Sequence, residues 1–431
     1  MSNNGQRNTR TLLKLSRGGA DAVFVKEFDL LKEEFVNEID GGFTLPEAKT
    51  RVSYKSRDVL WVGTDFGPGS LTDSGYPRVI KEWIRGTKLE DAKIIFEGEQ
   101  TDVSVSSYIN NQSKRNGPIY EILGRAITFY SSSYKVRKVS YEQLLAPDDP
   151  LREGVADPGP YVDVDIQEDA DIDFLAKMAL ISLRSDWQPV PGQKTYKSGS
   201  LIYTDADTFL EKGREGCTYH ILFEPTQRSA LETYSCTLNY IILSIMDNVK
   251  SKFEFYKIEM EGSQLRLVSS DTDAKIRSAS TSPIDPMEND QFWFTTSGYT
   301  QPYTMYLADA KKVEESNSSS ETTGNQDEPF ILEEVKALPP KYDATNFIVE
   351  QNVSISQDGT QIPYFLVRNK DIVYDGNNPT LLYGYGGFEI SMGPKYISSL
   401  GKTWLERGGV YVEACIRGGG EFGPSWHQVS K

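Results

Sequence analysis

The 431-residue sequence has few of the residues that build metal centres and disulfide frameworks. It contains only two histidines, His220 and His427, and three scattered cysteines, Cys217, Cys236 and Cys415. The cysteines are odd in number and form no Cys-x-x-Cys pair, which argues against disulfides and favours a reducing compartment. These few, scattered residues offer little chance of the four ligands that a His/Cys metal site needs. We therefore predict neither a metal nor another cofactor.

Long hydrophobic runs and excess basic charge are also missing. No apolar run reaches the roughly 18 residues of a membrane span, and residues 1–21 lack the apolar segment of a signal peptide. The formal net charge of −16 argues against nucleic acid or an anionic membrane surface as the main partner, because both select basic patches. We expect a soluble, cytoplasmic monomer.

The sequence also lacks an obvious catalytic nucleophile. No serine lies in a Gly-x-Ser-x-Gly motif, so a Ser-His-Asp mechanism has no visible nucleophile elbow. His427 follows Trp426, and His220 lies within an apolar β run. Both histidines are expected to pack or form hydrogen bonds rather than to catalyse. The three cysteines lie in or beside apolar runs and are expected to be small buried residues.

Short β-like runs fill residues 10–340. They alternate apolar and polar residues and end at Gly, Asp, Asn or Ser, which favours a sandwich, a barrel or a propeller. One internal repeat discriminates among these folds: residues 58–64 match residues 290–296, and each copy is followed by Ser-Gly-Tyr. The recurrence indicates the blades of a β-propeller, and about 45 residues per repeat gives roughly seven blades.

The texture of the sequence changes in its last quarter. Residues 310–329 are polar and serine-rich, which predicts a disordered loop. Beyond residue 346, two β runs flank Asp358 and Gly359, a good hairpin signal. Residues 380–384 then predict a buried strand.

A helix and another strand are predicted next. The helix fits Pro394 to Arg407, with Gly408 at the position after its end. Its apolar residues share one face. Residues 410–416 predict the following strand. A strand, a helix and a strand in this order form the beginning of an α/β layer structure.

A formal Gly-x-Gly-x-x-Gly pattern occurs at Gly418, Gly420 and Gly423. Dinucleotide binding requires a helix that opens at these glycines and an acidic residue about 20 positions later. Pro424 follows at once, and the sequence reaches Lys431 without such an acid. A structural glycine-rich loop is the better interpretation, and nucleotide binding is a weak alternative.

The sequence "YGYGGFEI" at residues 383–390, here called the tyrosine–glycine loop, has two interpretations. It follows a predicted strand and precedes a predicted helix, which is where α/β-hydrolases place part of an oxyanion hole. Glycines allow the backbone to come close to a substrate, and a tyrosine hydroxyl can donate a hydrogen bond. A tight turn with packed tyrosine rings fits the spacing equally well.

Longer motifs resemble one known family. Residues 356–367 (SQDGTQIPYFLV), 381–391 (LLYGYGGFEIS) and 404–427 (WLERGGVYVEACIRGGGEFGPSWH) together resemble the prolyl oligopeptidase family of serine peptidases. The stretch between residues 15 and 79 is similar to bacterial-type members. The resemblance implies a mainly β fold, in which a seven-bladed β-propeller precedes the first part of an α/β-hydrolase domain.

The same resemblance implies an activity and two site residues. Family members hydrolyse short peptides after proline with Ser, Asp and His, through an acyl-enzyme. By motif match, Tyr385 is the side-chain donor to the oxyanion hole, and Phe388 lines the substrate pocket. The related oligopeptidase B group prefers basic residues and usually has a different loop here. The expected partners are therefore short proline-containing peptides.

The sequence departs from the family pattern at both ends. In the family the nucleophile, the Asp and the His all lie beyond the position of the last motif, and helical segments precede the propeller. We therefore expect a fragment with residues 1–345 as a β-propeller, incomplete at its N-terminal end, and residues 346–431 as the start of a peptidase domain. As given, the chain is expected to be inactive; the alternative is a non-catalytic, propeller-based binding or regulatory protein.

Overall fold

The computed structural model describes residues 9–259, 261–270, 275–318, 328 and 330–429. The chain divides into two compact units, one formed by Met1–Lys177 with Ala206–Cys217 and the other by Met178–Asp205 with Thr218–Lys431. Short strands joined by tight turns dominate both units, and the helices are few and short. The mainly β class predicted from the sequence is confirmed.

Three four-stranded sheets make up most of the first unit. Its strands are β1 (Arg10–Ser16), β2 (Val23–Asp29), β3 (Glu34–Phe35), β4 (Thr44–Ala48), β5 (Arg51–Ser56), β6 (Val59–Gly63), β7 (Val79–Ile84), β8 (Lys93–Glu97), β9 (Ser104–Asn111), β10 (Ile119–Ala126), β11 (Ser132–Val139), β12 (Val162–Asp163) and β13 (Asp171–Leu175). Two helices, α1 (Tyr141–Leu144) and α2 (Ala206–Lys212), accompany them. Strands β5 to β8 pair antiparallel in chain order, and so do β9 to β12.

The second unit continues this pattern and then changes it. Its strands are β14 (Met178–Ser182), β15 (Leu201–Asp205), β16 (His220–Phe223), β17 (Ser229–Cys236), β18 (Tyr240–Asp247), β19 (Lys250–Ile258), β20 (Leu265–Ser270), β21 (Ser278–Pro283), β22 (Gln291–Ser297), β23 (Thr304–Asp309), β24 (Ile331–Ala337), β25 (Phe347–Ile355), β26 (Gln361–Asn369), β27 (Thr380–Gly384) and β28 (Val410–Ala414). Its helices are α3 (Lys311–Ser318), α4 (Ser398–Thr403) and α5 (Pro424–Gln428). Strands β17 to β20 and β21 to β24 pair antiparallel in chain order.

The internal repeat falls at equivalent places in two of these sheets. Trp61 lies on β6 and Trp293 on β22, and each strand is the second of four in its sheet. The two Ser-Gly-Tyr sequences are placed differently: Ser297 is the last residue of β22, whereas Ser74 lies in the long connection between β6 and β7. The two sheets are four sheets apart along the chain, so one repeat takes about 58 residues rather than the 45 assumed from the sequence. The count of seven blades therefore stays a prediction.

A phenylalanine-rich core lies between the last two antiparallel sheets. Phe253 and Phe255 alternate along β19, and Phe292 and Phe294 alternate along β22, so each pair points to one face. All four rings are buried, and Phe330 packs against three of them. Apolar area removed from water is the main stabilising contribution here.

The last sheet is mixed, with strand order β25-β26-β28-β27. The predicted hairpin is present, with Gly359 at φ 86° between β25 and β26. Strand β27 pairs parallel with β28, and helix α4 lies in the connection between them. A parallel pair needs such a crossover, so the predicted strand, helix and strand occur in the expected order.

Two expectations for this sheet were wrong in detail. Strand β27 is exposed along its whole length rather than buried, because it forms the edge of the sheet in the described residues. The helix begins at Ser398 rather than at Pro394. The backbone before Ser398 forms hydrogen bonds with other strands instead of helical ones. The Pro394 carbonyl accepts from Ser278 N (3.1 Å), and Tyr396 N donates to Ser297 Oγ (3.0 Å). Gly408 does end the helical segment, at φ 88°.

The serine-rich segment is more ordered than expected at its start. Lys311–Ser318 forms helix α3, where a disordered loop was predicted. Val313 is buried in the phenylalanine-rich core, and Glu314 accepts hydrogen bonds from Tyr240 and Lys257. Residues 319–327 and 329 lie outside the described residues.

Candidate active-site loops

The tyrosine–glycine loop and the glycine-rich loop (residues 417–423) leave the same end of two paired strands. Strands β27 and β28 run parallel, with Gly384 opposite Ala414 at their carboxyl ends. The tyrosine–glycine loop begins with the last two residues of β27 and continues beyond it, and the glycine-rich loop follows β28. The carboxyl ends of parallel strands are the usual place for ligand sites in open α/β sheets.

The glycines allow these two loops to touch through their backbones. A Cβ atom at Gly386 would lie 2.4 Å from the carbonyl oxygen of Arg417. A Cβ at Gly420 would lie 2.3 Å from the carbonyl oxygen of Glu389. Real Cβ contacts are not that short, so only glycine fits at either position. The formal Gly-x-Gly-x-x-Gly pattern is therefore explained by packing between loops.

Tyr385 lies over the backbone of the same loop. A Cβ at Gly387 would lie 3.2 Å from the Tyr385 hydroxyl oxygen. The tyrosine side chain is half-buried, and within the described part of the chain its hydroxyl has no hydrogen-bond partner. Phe388 is 72% exposed, although it is a large apolar residue. The loop therefore presents one hydroxyl donor and one apolar ring, and the roles assigned to them remain predictions.

The loop turns at two residues in an unfavourable backbone conformation. Phe388 has φ 53° and Glu389 has φ 57°, in the left-handed region that favours glycine. The side chain of Glu389 pairs with Arg184, and its backbone N–H donates to the Gly418 carbonyl at 3.3 Å. Strained residues of this kind persist only where their surroundings impose the conformation, and they cluster at functional sites.

A buried carboxyl group supports the far side of the loop. Glu421 is fully buried, and its Oε1 accepts a hydrogen bond from Met392 N at 2.8 Å. Its Oε2 has no hydrogen-bond partner within the described residues and lies against Gly419. Burial, together with the neighbouring Glu413 carboxylate, raises the pKa of Glu421 to about 7.

Glu413 anchors strand β28 from the same interior. Its two carboxylate oxygens accept hydrogen bonds from the hydroxyls of Tyr299 (2.8 Å) and Tyr411 (2.7 Å). Burial and the adjacent carboxylate raise the pKa of both tyrosines, so both remain protonated donors. The buried carboxyl group is thus held by two hydrogen bonds, as buried polar groups generally are.

The histidines pack or form hydrogen bonds, as expected from the sequence. His427 is buried on α5, and its Nδ1 lies 2.7 Å from the Gly418 carbonyl oxygen. The His220 ring stacks on Tyr203.

Burial of the cysteines was predicted correctly only for Cys415, because Cys217 and Cys236 are half-buried. The three cysteines, all within the described residues, form no disulfide, and burial raises the pKa of the Cys415 thiol.

Two absences concern only the described residues. No group of three or more His, Cys, Asp or Glu side chains is arranged there to hold a metal ion. None of the helices in that part of the chain has the length and apolar character needed to cross a membrane.

Sequence reasoning missed three residues that shape the loop: Arg184, Glu389 and Glu421. Arg184 and Glu389 are 205 residues apart, and no local pattern links them. Glu421 had a usable signal, because an acid inside a run of glycines and apolar residues has little chance of reaching water.

Comparisons with known proteins agree on one family. No family model matches the chain. An uncharacterized peptidase of Sinorhizobium fredii is 34% identical over 439 aligned positions, which cover 97% of this chain and 52% of that protein. A prolyl endopeptidase of Elizabethkingia meningoseptica is 42% identical over 108 residues, covering 25% of this chain and 14% of the relative.

A solved structure extends the match over the whole chain. The post-proline cleaving enzyme of Rickettsia typhi has a TM-score of 0.80 and 28% identity, and covers 100% of this chain and 57% of its own. These two proteins match nearly all of this chain, and the chain spans about half the length of each of them. Together, the relatives and the shared fold show that the chain belongs to the prolyl oligopeptidase family of peptidases.

Proposed function

We propose that the protein containing these residues is a serine-type oligopeptidase that hydrolyses short peptides after proline through an acyl-enzyme. Strands β1 to β24 would belong to its β-propeller, and β25 to β28 would begin its α/β-hydrolase domain. The proposal draws on the printed functions of the relatives, which include a prolyl endopeptidase and a post-proline cleaving enzyme.

The observation that carries the proposal is the tyrosine–glycine loop at the carboxyl end of β27. Attack on a peptide carbonyl places negative charge on its oxygen, and a donor already in place stabilises that charge. The Tyr385 hydroxyl can be such a donor, since it forms no hydrogen bond with any described residue. A fixed donor gains strength in a site that excludes water.

Phe388 supplies the preference for proline in this proposal. Its ring is exposed beside the donor, and an apolar surface suits the pyrrolidine ring of proline better than a charged side chain. A basic side chain would find no unpaired carboxylate at Glu389, because Glu389 is already paired with Arg184.

The test compares two proteins on two substrates. The full coding sequence, however far it extends, and the 431-residue chain are each assayed with fluorogenic peptides ending in Gly-Pro and Gly-Arg. We expect the full product to cleave after proline, with inhibition by a serine-directed reagent. We expect the 431-residue chain to be inactive, because it has no Gly-x-Ser-x-Gly motif.

Other outcomes would contradict the proposal. Cleavage mainly after arginine would indicate the oligopeptidase B preference instead. A full product that binds proline-containing peptides but never hydrolyses them would favour the non-catalytic, propeller-based binding protein.

A further inference from the structure

The turn at Phe388 and Glu389 needs an external restraint. Both residues adopt the left-handed conformation, and neither is a glycine or an asparagine, the residues that tolerate it best. Inside the loop, only the contact from Ile390 N to the Gly387 carbonyl (3.1 Å) closes the turn. One such hydrogen bond is a weak reason for two adjacent residues to stay in this conformation.

Glu389 supplies the restraint through three contacts outside its own loop. Its carboxylate forms an ion pair with Arg184, its N–H donates to the Gly418 carbonyl, and its own carbonyl lies against Gly420. The side chains of Glu389 and Arg184 are only 16% and 21% exposed, so water screens the pair less than a surface ion pair.

Arg184 is itself fixed at its backbone. Its carbonyl accepts hydrogen bonds from Ser198 Oγ (2.7 Å) and from Gln428 Nε2 (3.2 Å). Gln428 is the last residue of α5, directly after the glycine-rich loop. The ion pair therefore joins the tyrosine–glycine loop to the segment around Arg184, which is itself hydrogen-bonded to Gln428 of α5.

The charge on Glu389 gives the pair a second effect. An unpaired carboxylate in the same loop as Tyr385 would oppose the negative charge that develops on a substrate carbonyl oxygen. The Arg184 guanidinium neutralises that carboxylate where it stands. The pair can therefore restrain the loop and protect its electrostatic environment at once.

We propose that Arg184 and Glu389 are positioning residues, which hold the left-handed turn and keep the Tyr385 hydroxyl and Phe388 ring in place for the substrate. The catalytic meaning of this assignment rests on the proposed function, because it requires an oxyanion at the loop. The restraint on the loop does not depend on activity and can be measured separately.

The first experiment measures the restraint in the 431-residue chain by hydrogen–deuterium exchange. In Arg184→Gln and in Glu389→Gln, we expect amides of residues 385–392 to exchange about tenfold faster than in the wild type. Glu350→Gln is the matched control, since it removes a carboxylate paired with Arg368 on the same sheet. It should leave the loop unchanged. Wild-type exchange in both loop variants, or equal acceleration in the control, would overturn the proposal.

The second experiment measures kinetics in the full coding product. A slightly misplaced donor loses transition-state stabilisation, so we expect kcat to fall about tenfold to a hundredfold while KM changes less than about threefold. Arg184→Gln leaves an unpaired carboxylate and should lose more than Glu389→Gln, which removes it. A purely structural role would not produce that order. Arg184→Lys, which keeps the charge, should recover part of kcat.

The two experiments separate the possible failures. If the wild-type product shows no cleavage after proline, the proposed function fails, and the exchange measurement still decides the positioning role. If exchange accelerates but kcat is unchanged, or falls equally in both variants, the positioning proposal fails and the proposed function stands.

Discussion

The phenylalanine-rich core and the two candidate active-site loops belong to the same compact unit but are held together differently. The core contains buried aromatic rings on β19 and β22, and any apolar side chain of similar volume would serve there in part. The loops contain less apolar packing, of which Phe422 against Trp426 is an example. They depend on glycines that let two backbones touch, on an ion pair, and on the buried carboxyl of Glu421.

The core therefore tolerates substitution by other apolar side chains, whereas the loops depend on a few contacts of fixed geometry. Loss of a core ring lowers the stability of the whole unit but displaces no particular segment, because the hydrophobic effect is non-directional. A single methyl group added at Gly420 must displace one loop, because the contact between the two backbones leaves no space for it. Three substitutions test this contrast.

The largest expected loss of stability comes from the core. Phe294 is fully buried, and its ring centroid lies 5.1 Å from that of Phe330 and 5.5 Å from that of Phe253. Phe294→Ala should lower the free energy of unfolding by about 3–5 kcal/mol, because it removes buried apolar area and leaves a cavity. Urea denaturation followed by circular dichroism measures it.

Leu332→Ala on β24 is the control, because Leu332 is 42% exposed and its truncation should cost far less. Equal losses in the two variants would break the comparison, since the core would then contribute no more than the surface.

Gly420→Ala should have the next largest effect. Its new methyl group would lie 2.3 Å from the Glu389 carbonyl oxygen and 2.8 Å from Ser391 Oγ, so the loops must separate. We expect a loss of about 2–3 kcal/mol in the free energy of unfolding. Hydrogen exchange should also accelerate in residues 385–392. Gly298→Ala, whose methyl group would meet nothing closer than 3.6 Å, should leave both measurements unchanged.

Glu421→Gln tests the buried carboxyl and should have the smallest effect. The pKa of Glu421 is about 7 in the folded protein and near its ordinary value of 4.5 in the unfolded chain. Protonation therefore favours the folded state: this contribution is fully present below pH 4.5 and is lost as the pH rises through about 7. Glutamine imitates the protonated acid and keeps the acceptor for Met392 N.

We therefore expect Glu421→Gln to match the wild type at pH 5 and to exceed its free energy of unfolding by about 1–2 kcal/mol at pH 8. Urea denaturation of both proteins at both pH values measures this difference in the free energy of unfolding. A difference that is the same at both would show that Glu421 does not titrate in this range.

Local features were predicted well from the sequence. The hairpin at Gly359, the end of the helical segment at Gly408 and the strand β28 were all found, because each depends on a few neighbouring residues. The matched tryptophans on β6 and β22 also fell at equivalent positions, because a repeated sequence folds into a repeated unit.

Features that depend on distant residues were missed. The exposure of β27 is set by its place at the sheet edge, and residues 381–383 are as apolar as those of a buried strand. The late start of α4 follows from contacts with Ser278 and Ser297, about a hundred residues earlier. The roles assigned to Tyr385 and Phe388 came from motif resemblance and remain predictions.

We propose that the Tyr385 hydroxyl stabilises the oxyanion in a post-proline peptidase. The direct measurement is kcat/KM of the full coding product on a Gly-Pro fluorogenic peptide, for the wild type, Tyr385→Phe and the neighbouring control Tyr383→Phe. We expect Tyr385→Phe to lose about 10²–10³-fold, mainly in kcat, without loss of stability. Tyr383→Phe should remain near wild type. A Tyr385→Phe enzyme that cleaves after proline at the wild-type rate would contradict the claim.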